Sequence, residues 1–190
     1  LTKPLLLLEA RALMGRGVLL HASAVAFGDR SWLFLAKSGG GKTTVALLME
    51  KAGGTALGSD TTMLCRGTDS VLRTMPCASF APARLGRPPA TRVEKLVLLE
   101  KGPLAGPIPV DPSYAAFRIE RQGQLMIQES LTELERAVTR KCLREMIEEC
   151  GCAILRFGIG DGPAALREAL TEHGDPFPAR GRIGMAPGLV

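Results

Sequence analysis

Short apolar stretches, punctuated by glycine, proline and aspartate, divide the chain into alternating helical and extended segments. Residues 4–14 predict a short helix that Gly15 ends. Residues 18–27 and 31–36 are runs of apolar and small side chains, and Gly28-Asp29-Arg30 between them predicts a β-hairpin. With the turn centred on Asp29, Phe27 faces Ser31, Ser23 faces Leu35 and His21 faces Lys37. Residues 43–52 are apolar on most faces and stop at Gly53-Gly54, the pattern of a buried helix. Residues 55–58 then form a short strand leading into Ser59-Asp60, and residues 61–66 and 71–75 flank a Gly-Thr-Asp-Ser turn as a second hairpin.

Beyond this point the pattern is less regular. Residues 76–91 are rich in proline and arginine, residues 93–99 predict a strand, and residues 102–112 hold four prolines and predict a loop. Thr132 and Glu135 have capping-box spacing and open a helix to about residue 149. Leu134, Val138, Cys142, Met146 and Cys150 recur every four residues along it, with Ile147 beside them, and predict one buried face. Residues 153–157 form a strand and residues 163–173 a helix stopped by Gly174. The expected organisation is one domain over residues 1–173 and a Gly/Pro-rich tail over 174–190. Its fold class is α/β, a mixed sheet with antiparallel hairpins.

Composition narrows the classes. A chain of 190 residues with 46% hydrophobic and 23% charged residues can form a globular core and is far from the disordered class. The longest apolar run near the start, residues 5–8, falls short of the about 20 residues of a membrane span and the 7 or so of a secretory signal, so no membrane partner is expected. Net charge is +5, which suits anionic ligands, but 4% aromatics and the lack of a basic run argue against nucleic acid. An odd count of cysteines, Cys65, Cys77, Cys142, Cys150 and Cys152, indicates reduced thiols and a cytoplasmic location. Cys150-Gly-Cys152 resembles half a metal site, but no second pair stands at ligand spacing, so core thiols are expected.

The chemistry concentrates in Ala36-Lys37-Ser38-Gly39-Gly40-Gly41-Lys42-Thr43-Thr44, set between a strand and a helix. Successive glycines let the backbone curl and turn its N–H groups around a phosphate chain. Lys42 would reach the β- and γ-phosphates, the Thr43 hydroxyl would hold Mg²⁺, and the following helix would add its positive end. Ala36 stands where the phosphate-loop pattern has its first glycine. Asp60 is expected as a second Mg²⁺ ligand, provided the strands before the loop and before Asp60 lie side by side and parallel. The hairpin register brings His21 to the mouth of the loop.

The series His21-Ala22-Ser23-Ala24-Val25, Ser38-Gly39-Gly40-Gly41-Lys42-Thr43-Thr44 and Gly58-Ser59-Asp60 resembles the C-terminal domain of HPr kinase/phosphorylase. More distantly, it is similar to the nucleotide site of phosphoenolpyruvate carboxykinase. The specific match spans residues 21–60. The resemblance implies a P-loop-containing sheet and a phosphotransferase that uses ATP and Mg²⁺ to phosphorylate a hydroxyl on a peptide, protein or small molecule. It gives Lys42 and Thr43 the phosphate and metal roles, Asp60 a metal and catalytic role, and His21 a place beside the reacting phosphate. The family's Asp-Asp pair stands here as Ser59-Asp60, so either His21 or another carboxylate supplies the base, or transfer is slow or absent. Arg84-Leu85-Gly86 is only an echo of the arginine-glycine segment of the bifunctional enzymes. Arg84, Arg87 and Arg92 are further cations that could approach a γ-phosphate.

Other phosphate-loop classes are excluded. The chain contains no asparagine, so it lacks both the Asn-Lys-x-Asp element of GTPases and the asparagine that holds the second metal in eukaryotic-type kinases. Two alternatives to a kinase remain: a nucleotide-binding regulatory module with little transfer activity, and a scaffold with a vestigial loop. Acceptor identity, ATP against GTP, and assembly into a homo-oligomer stay open.

Overall fold

The protein, described here from a computed structural model over residues 2–77, 90–158 and 160–171, runs in this order. First come α1 (Thr2–Ala12), β1 (Gly17–Leu20), β2 (Ala22–Phe27), β3 (Arg30–Leu35), α2 (Lys42–Lys51) and β4 (Thr55–Gly58). β5 (Thr62–Arg66), β6 (Leu72–Pro76), β7 (Thr91–Lys101) and β8 (Ala105–Pro109) follow. The chain continues with α3 (Pro112–Arg121), α4 (Glu133–Cys150), β9 (Cys152–Phe157) and α5 (Pro163–Thr171). The expected tail and most of the Pro/Arg-rich stretch, with Arg84 and Arg87, lie outside the described residues.

The composition of β3 explains the layering. Trp32 and Phe34 point into one core with Val45 and Met49 of α2 and Leu166 of α5. Leu33 and Leu35 point into another with Ile119 of α3 and Leu143 and Met146 of α4. A strand apolar on both faces must be covered on both, so helices pack on each side of the sheet. β7 repeats the logic, with Leu96 and Leu98 in the second core and Val97 and Leu99 in the first.

The result is a mixed α/β fold whose sheet contains both parallel and antiparallel ladders. Its main path is β1-β5-β6-β7-β3-β2-β4. β7 lies parallel to β3 along one edge. On its other edge it pairs first with β6 and then, parallel, with β9, to which β8 adds antiparallel.

Several sequence expectations change. The 18–27 run is two strands, broken at His21: β1 pairs with β5, whereas β2 pairs with β3 and β4. At the break the His21 backbone N–H leaves the ladder and donates to the Gln124 carbonyl at 2.7 Å. The β2/β3 hairpin is one residue tighter than expected, with Phe27 opposite Arg30 and Ala22 opposite Leu35. Gly28, at φ 64°, supplies the positive φ of a two-residue turn, so Asp29 is not its centre. β3 and β4 are not neighbours; β2 runs between them, antiparallel to both.

Residues 102–112 are not all loop, because β8 forms there. It is an outer strand, where prolines lacking an N–H are tolerated. α3 is an element the apolar pattern does not predict, although Asp111-Pro112 is a helix-start signature: the Asp111 carboxylate accepts from the Ser113 and Tyr114 amides. The Thr132–Glu135 capping box forms as expected. The buried face of α4, however, is Thr139, Cys142, Leu143, Met146 and Ile147, while Leu134 is 75% exposed in the first turn.

Candidate functional site

β3 and β4 run in the same direction on either side of β2, so their C-terminal ends meet the start of β2 at one edge of the sheet. The glycine loop follows β3, Ser59-Asp60 follows β4, and His21 precedes β2. His21, residues 38–44 and Asp60 therefore line a single cleft of about 340 Å³. The expected juxtaposition of loop, histidine and aspartate is present, but by a different route: β2 bridges strands that do not touch.

The loop is shaped by its glycines. Gly39 and Gly41 take φ values of 71° and 97°, which side chains disfavour. A Cβ on Gly40 would lie 2.5 Å from the Ala36 methyl, and one on Gly41 would lie 2.4 Å from the Phe157 ring. Gly41 also opens α2 with no side chain to cap it, and the first intrahelical bond runs from Val45 N–H to the Gly41 carbonyl. By helix geometry the amides of Lys42, Thr43 and Thr44 precede that ladder, at the positive end of the helix dipole. A cradle of bare backbone next to free helix-start amides fits an anion.

Lys42 is 7% exposed, and its Nζ donates to the Ala36 carbonyl at 2.8 Å. Burial holds its ammonium below the usual lysine range, while the Asp60 carboxylate acts in the opposite direction. The alanine in place of the first loop glycine thus still offers the backbone oxygen that anchors this cation. Thr43 is exposed at the first turn of α2 and lines the cleft, as does the exposed Asp60. A hydroxyl and a carboxylate are hard oxygen donors, which suit Mg²⁺.

Three bonds fasten the start of β2 to the segment after β4. His21 Nδ1 lies 2.8 Å from the Asp60 carbonyl oxygen and 3.2 Å from Asp60 Oδ1. Ser23 Oγ donates to the Ser59 carbonyl at 2.8 Å, and Thr62 Oγ1 donates to the Ala22 carbonyl at 3.0 Å. Ser59 itself is exposed and is not among the residues lining the cleft. Ser23, fully buried, and Phe157 were missed as site-shaping residues; a serine inside an otherwise apolar strand was the available signal for the first.

Other candidates fall away from the site. Arg92 pairs with Arg30 at the end of β3 remote from the loop. On α4, Arg136 pairs with Glu133 and Arg140 with Glu120 of α3. Cys65, Cys77, Cys142 and Cys152 are buried thiols outside any disulfide, and burial pushes Cys150 and Cys152 up to about 12. No cluster of three metal-ligating side chains occurs among the described residues, and no helix among them is long and apolar enough to cross a membrane.

The architecture defines a mixed α/β protein with a glycine-lined cleft at one sheet edge. Compared with solved structures, the chain is similar to the HPr(Ser) kinase/phosphatase from Coxiella burnetii, at a TM-score of 0.41 and 13% identity over 75% of this chain and 86% of that one. No protein-family model and no curated protein matches the sequence.

Proposed function

We propose that this protein is a phosphotransferase that takes the γ-phosphoryl group of a nucleoside triphosphate, ATP in the first instance, and delivers it to a hydroxyl. The observation that carries this reading is the shared cleft: glycine loop, Lys42 and Thr43 on one wall, His21 and Asp60 on the other. The loop amides and Lys42 bind and orient the triphosphate, holding positive charge where negative charge develops during transfer. Thr43 and the Asp60 carboxylate hold Mg²⁺, which when bound neutralises phosphate charge. The motif series over residues 21–60, with its resemblance to HPr kinase, favours a hydroxyl acceptor on a peptide, protein or small molecule.

The test is calorimetric titration of the protein with Mg²⁺–ATP, followed by transfer from γ-labelled ATP to candidate hydroxyl acceptors. Micromolar binding that Lys42→Ala abolishes, and transfer reduced on the order of 10² or more in that variant, are expected. Undiminished transfer by Lys42→Ala overturns the assignment.

Ser59 favours a second reading, a nucleotide-binding regulatory module. A serine there does not supply the carboxylate that HPr kinase-like sites use as base. Under that reading the protein binds Mg²⁺–ATP without transfer, and Ser59→Asp creates activity.

A further inference from the structure

We propose that His21 is itself a phosphoryl acceptor, taking the γ-phosphoryl group on Nε2; this rests on the nucleotide reading of the cleft and names a modification site within it. A carbonyl oxygen only accepts hydrogen bonds, so the 2.8 Å contact between His21 Nδ1 and the Asp60 carbonyl requires the hydrogen on Nδ1. In the neutral ring Nε2 is then the nitrogen with the lone pair. It has no hydrogen-bond partner among the described residues, and the ring borders the same cleft as the glycine loop and Lys42.

The ring is held rather than free. Its backbone amide is tied to Gln124, its Nδ1 edge to Asp60, and its side chain is 27% exposed. A nucleophile positioned in this way needs no base, unlike the Ser38, Thr43 and Thr44 hydroxyls on the opposite wall.

The step balances within the groups named. The Nε2 lone pair forms the N–P bond as the bond from the γ-phosphorus to the β–γ bridging oxygen breaks, and that electron pair leaves with the nucleoside diphosphate. Nδ1 keeps its hydrogen, so the ring becomes a cation, and Asp60 Oδ1 at 3.2 Å stabilises it. When a hydroxyl then attacks the phosphorus from the side the diphosphate has left, the N–P pair returns to Nε2 and the hydroxyl proton passes to solvent.

Two measurements on the full chain test this. First, the protein is incubated with Mg²⁺ and γ-labelled ATP, while calorimetry on the same sample records Mg²⁺–ATP binding. The expected label is stable to alkali, lost in acid, and maps to His21. It survives in His173→Gln, which removes the only other histidine. It disappears in His21→Asn, whose amide can still donate to the Asp60 carbonyl but lacks Nε2. Second, without nucleotide, potassium phosphoramidate should phosphorylate His21, with a ³¹P shift of an Nε2 adduct, and Mg²⁺–ADP should discharge it to ATP. Binding without label, an acid-stable label, or an adduct on Nδ1 or His173 overturns the proposal and leaves the nucleotide site standing. Absence of Mg²⁺–ATP binding removes both.

Discussion

The ring of Phe157, at the end of β9, occupies the space in front of the Gly41 α-carbon, so that a methyl there would stand 2.4 Å from Cζ. Gly41 also holds φ 97° at the start of α2. β9 therefore sets how closely the loop folds against the sheet. Gly41→Ala combines a steric overlap with a disfavoured backbone angle and should destabilise by about 2–4 kcal/mol. Gly39→Ala, at φ 71° with nothing within 4 Å of its Cβ, should cost only about 1 kcal/mol. Urea denaturation of the two variants, and of Gly41→Ala combined with Phe157→Leu, separates the contributions. If Gly41→Ala is no worse than Gly39→Ala, Phe157 does not shape the loop.

Burial of thiols predicts alkaline sensitivity. Cys142 is pushed up to about 11 and Cys150 and Cys152 to about 12, chiefly by desolvation, from an ordinary value of 9.0. With the folded value raised, the native state keeps protons that the unfolded chain has lost. The thiols' contribution to stability is full below about pH 9 and falls as pH rises towards 11–12, by about 1.4 kcal/mol per thiol for each pH unit inside that window. Urea midpoints at pH 8, 9 and 10 measure the slope. Cys150→Ala with Cys152→Ala should flatten it, and an unchanged slope would show that these thiols do not set the alkaline limit.

The parts of this design most legible in the sequence are the local ones. The glycine loop, the Thr132–Glu135 box and the 55–58 strand each carry their signal within a few residues. What escaped depends on contacts between distant segments. Nothing local to His21 says that its amide will leave the ladder for Gln124, about a hundred residues on, and split one apolar run into two strands. Nor could apolar periodicity show that β2 would lie between β3 and β4, because all three are short and β2 and β3 are buried on both faces. The place of His21 at the mouth of the loop was reached from a register one residue off, yet the residue still borders the loop. Proline content misled at β8, where an edge position suspends the usual exclusion.

Lys42 gives a pH signature of opposite sign to the thiols. Its folded value lies below the ordinary 10.5, with burial the larger cause, so the native state releases this proton before the unfolded chain does. Stability therefore rises with pH across the window between that lowered value and 10.5. Lys42→Met removes the proton and leaves the Ala36 carbonyl without its donor, a cost that does not vary with pH. The stability difference between wild type and Lys42→Met, followed by urea denaturation from pH 7 to 10, should shift in favour of wild type as pH rises. A difference that stays flat would mean that the ammonium is solvated in the native state.

Ser23 tests whether Asp60 is positioned by the sheet or by its own turn. Ser23 is fully buried on β2 and its Oγ donates to the Ser59 carbonyl at 2.8 Å, one residue before the carboxylate that faces the cleft. Ser23→Ala fills the same space but leaves that carbonyl without its side-chain donor, a loss of about 1 kcal/mol in stability. If the bond holds Asp60 in place, the variant should also lose about three- to tenfold in Mg²⁺-dependent nucleotide affinity, while binding measured with EDTA present stays constant. Ser23→Cys, with a weaker donor of similar size, should fall between. Should Ser23→Ala lower stability and leave the Mg²⁺-dependent part of the affinity untouched, the serine serves the core alone, and the His21–Asp60 contact must be what fixes the aspartate.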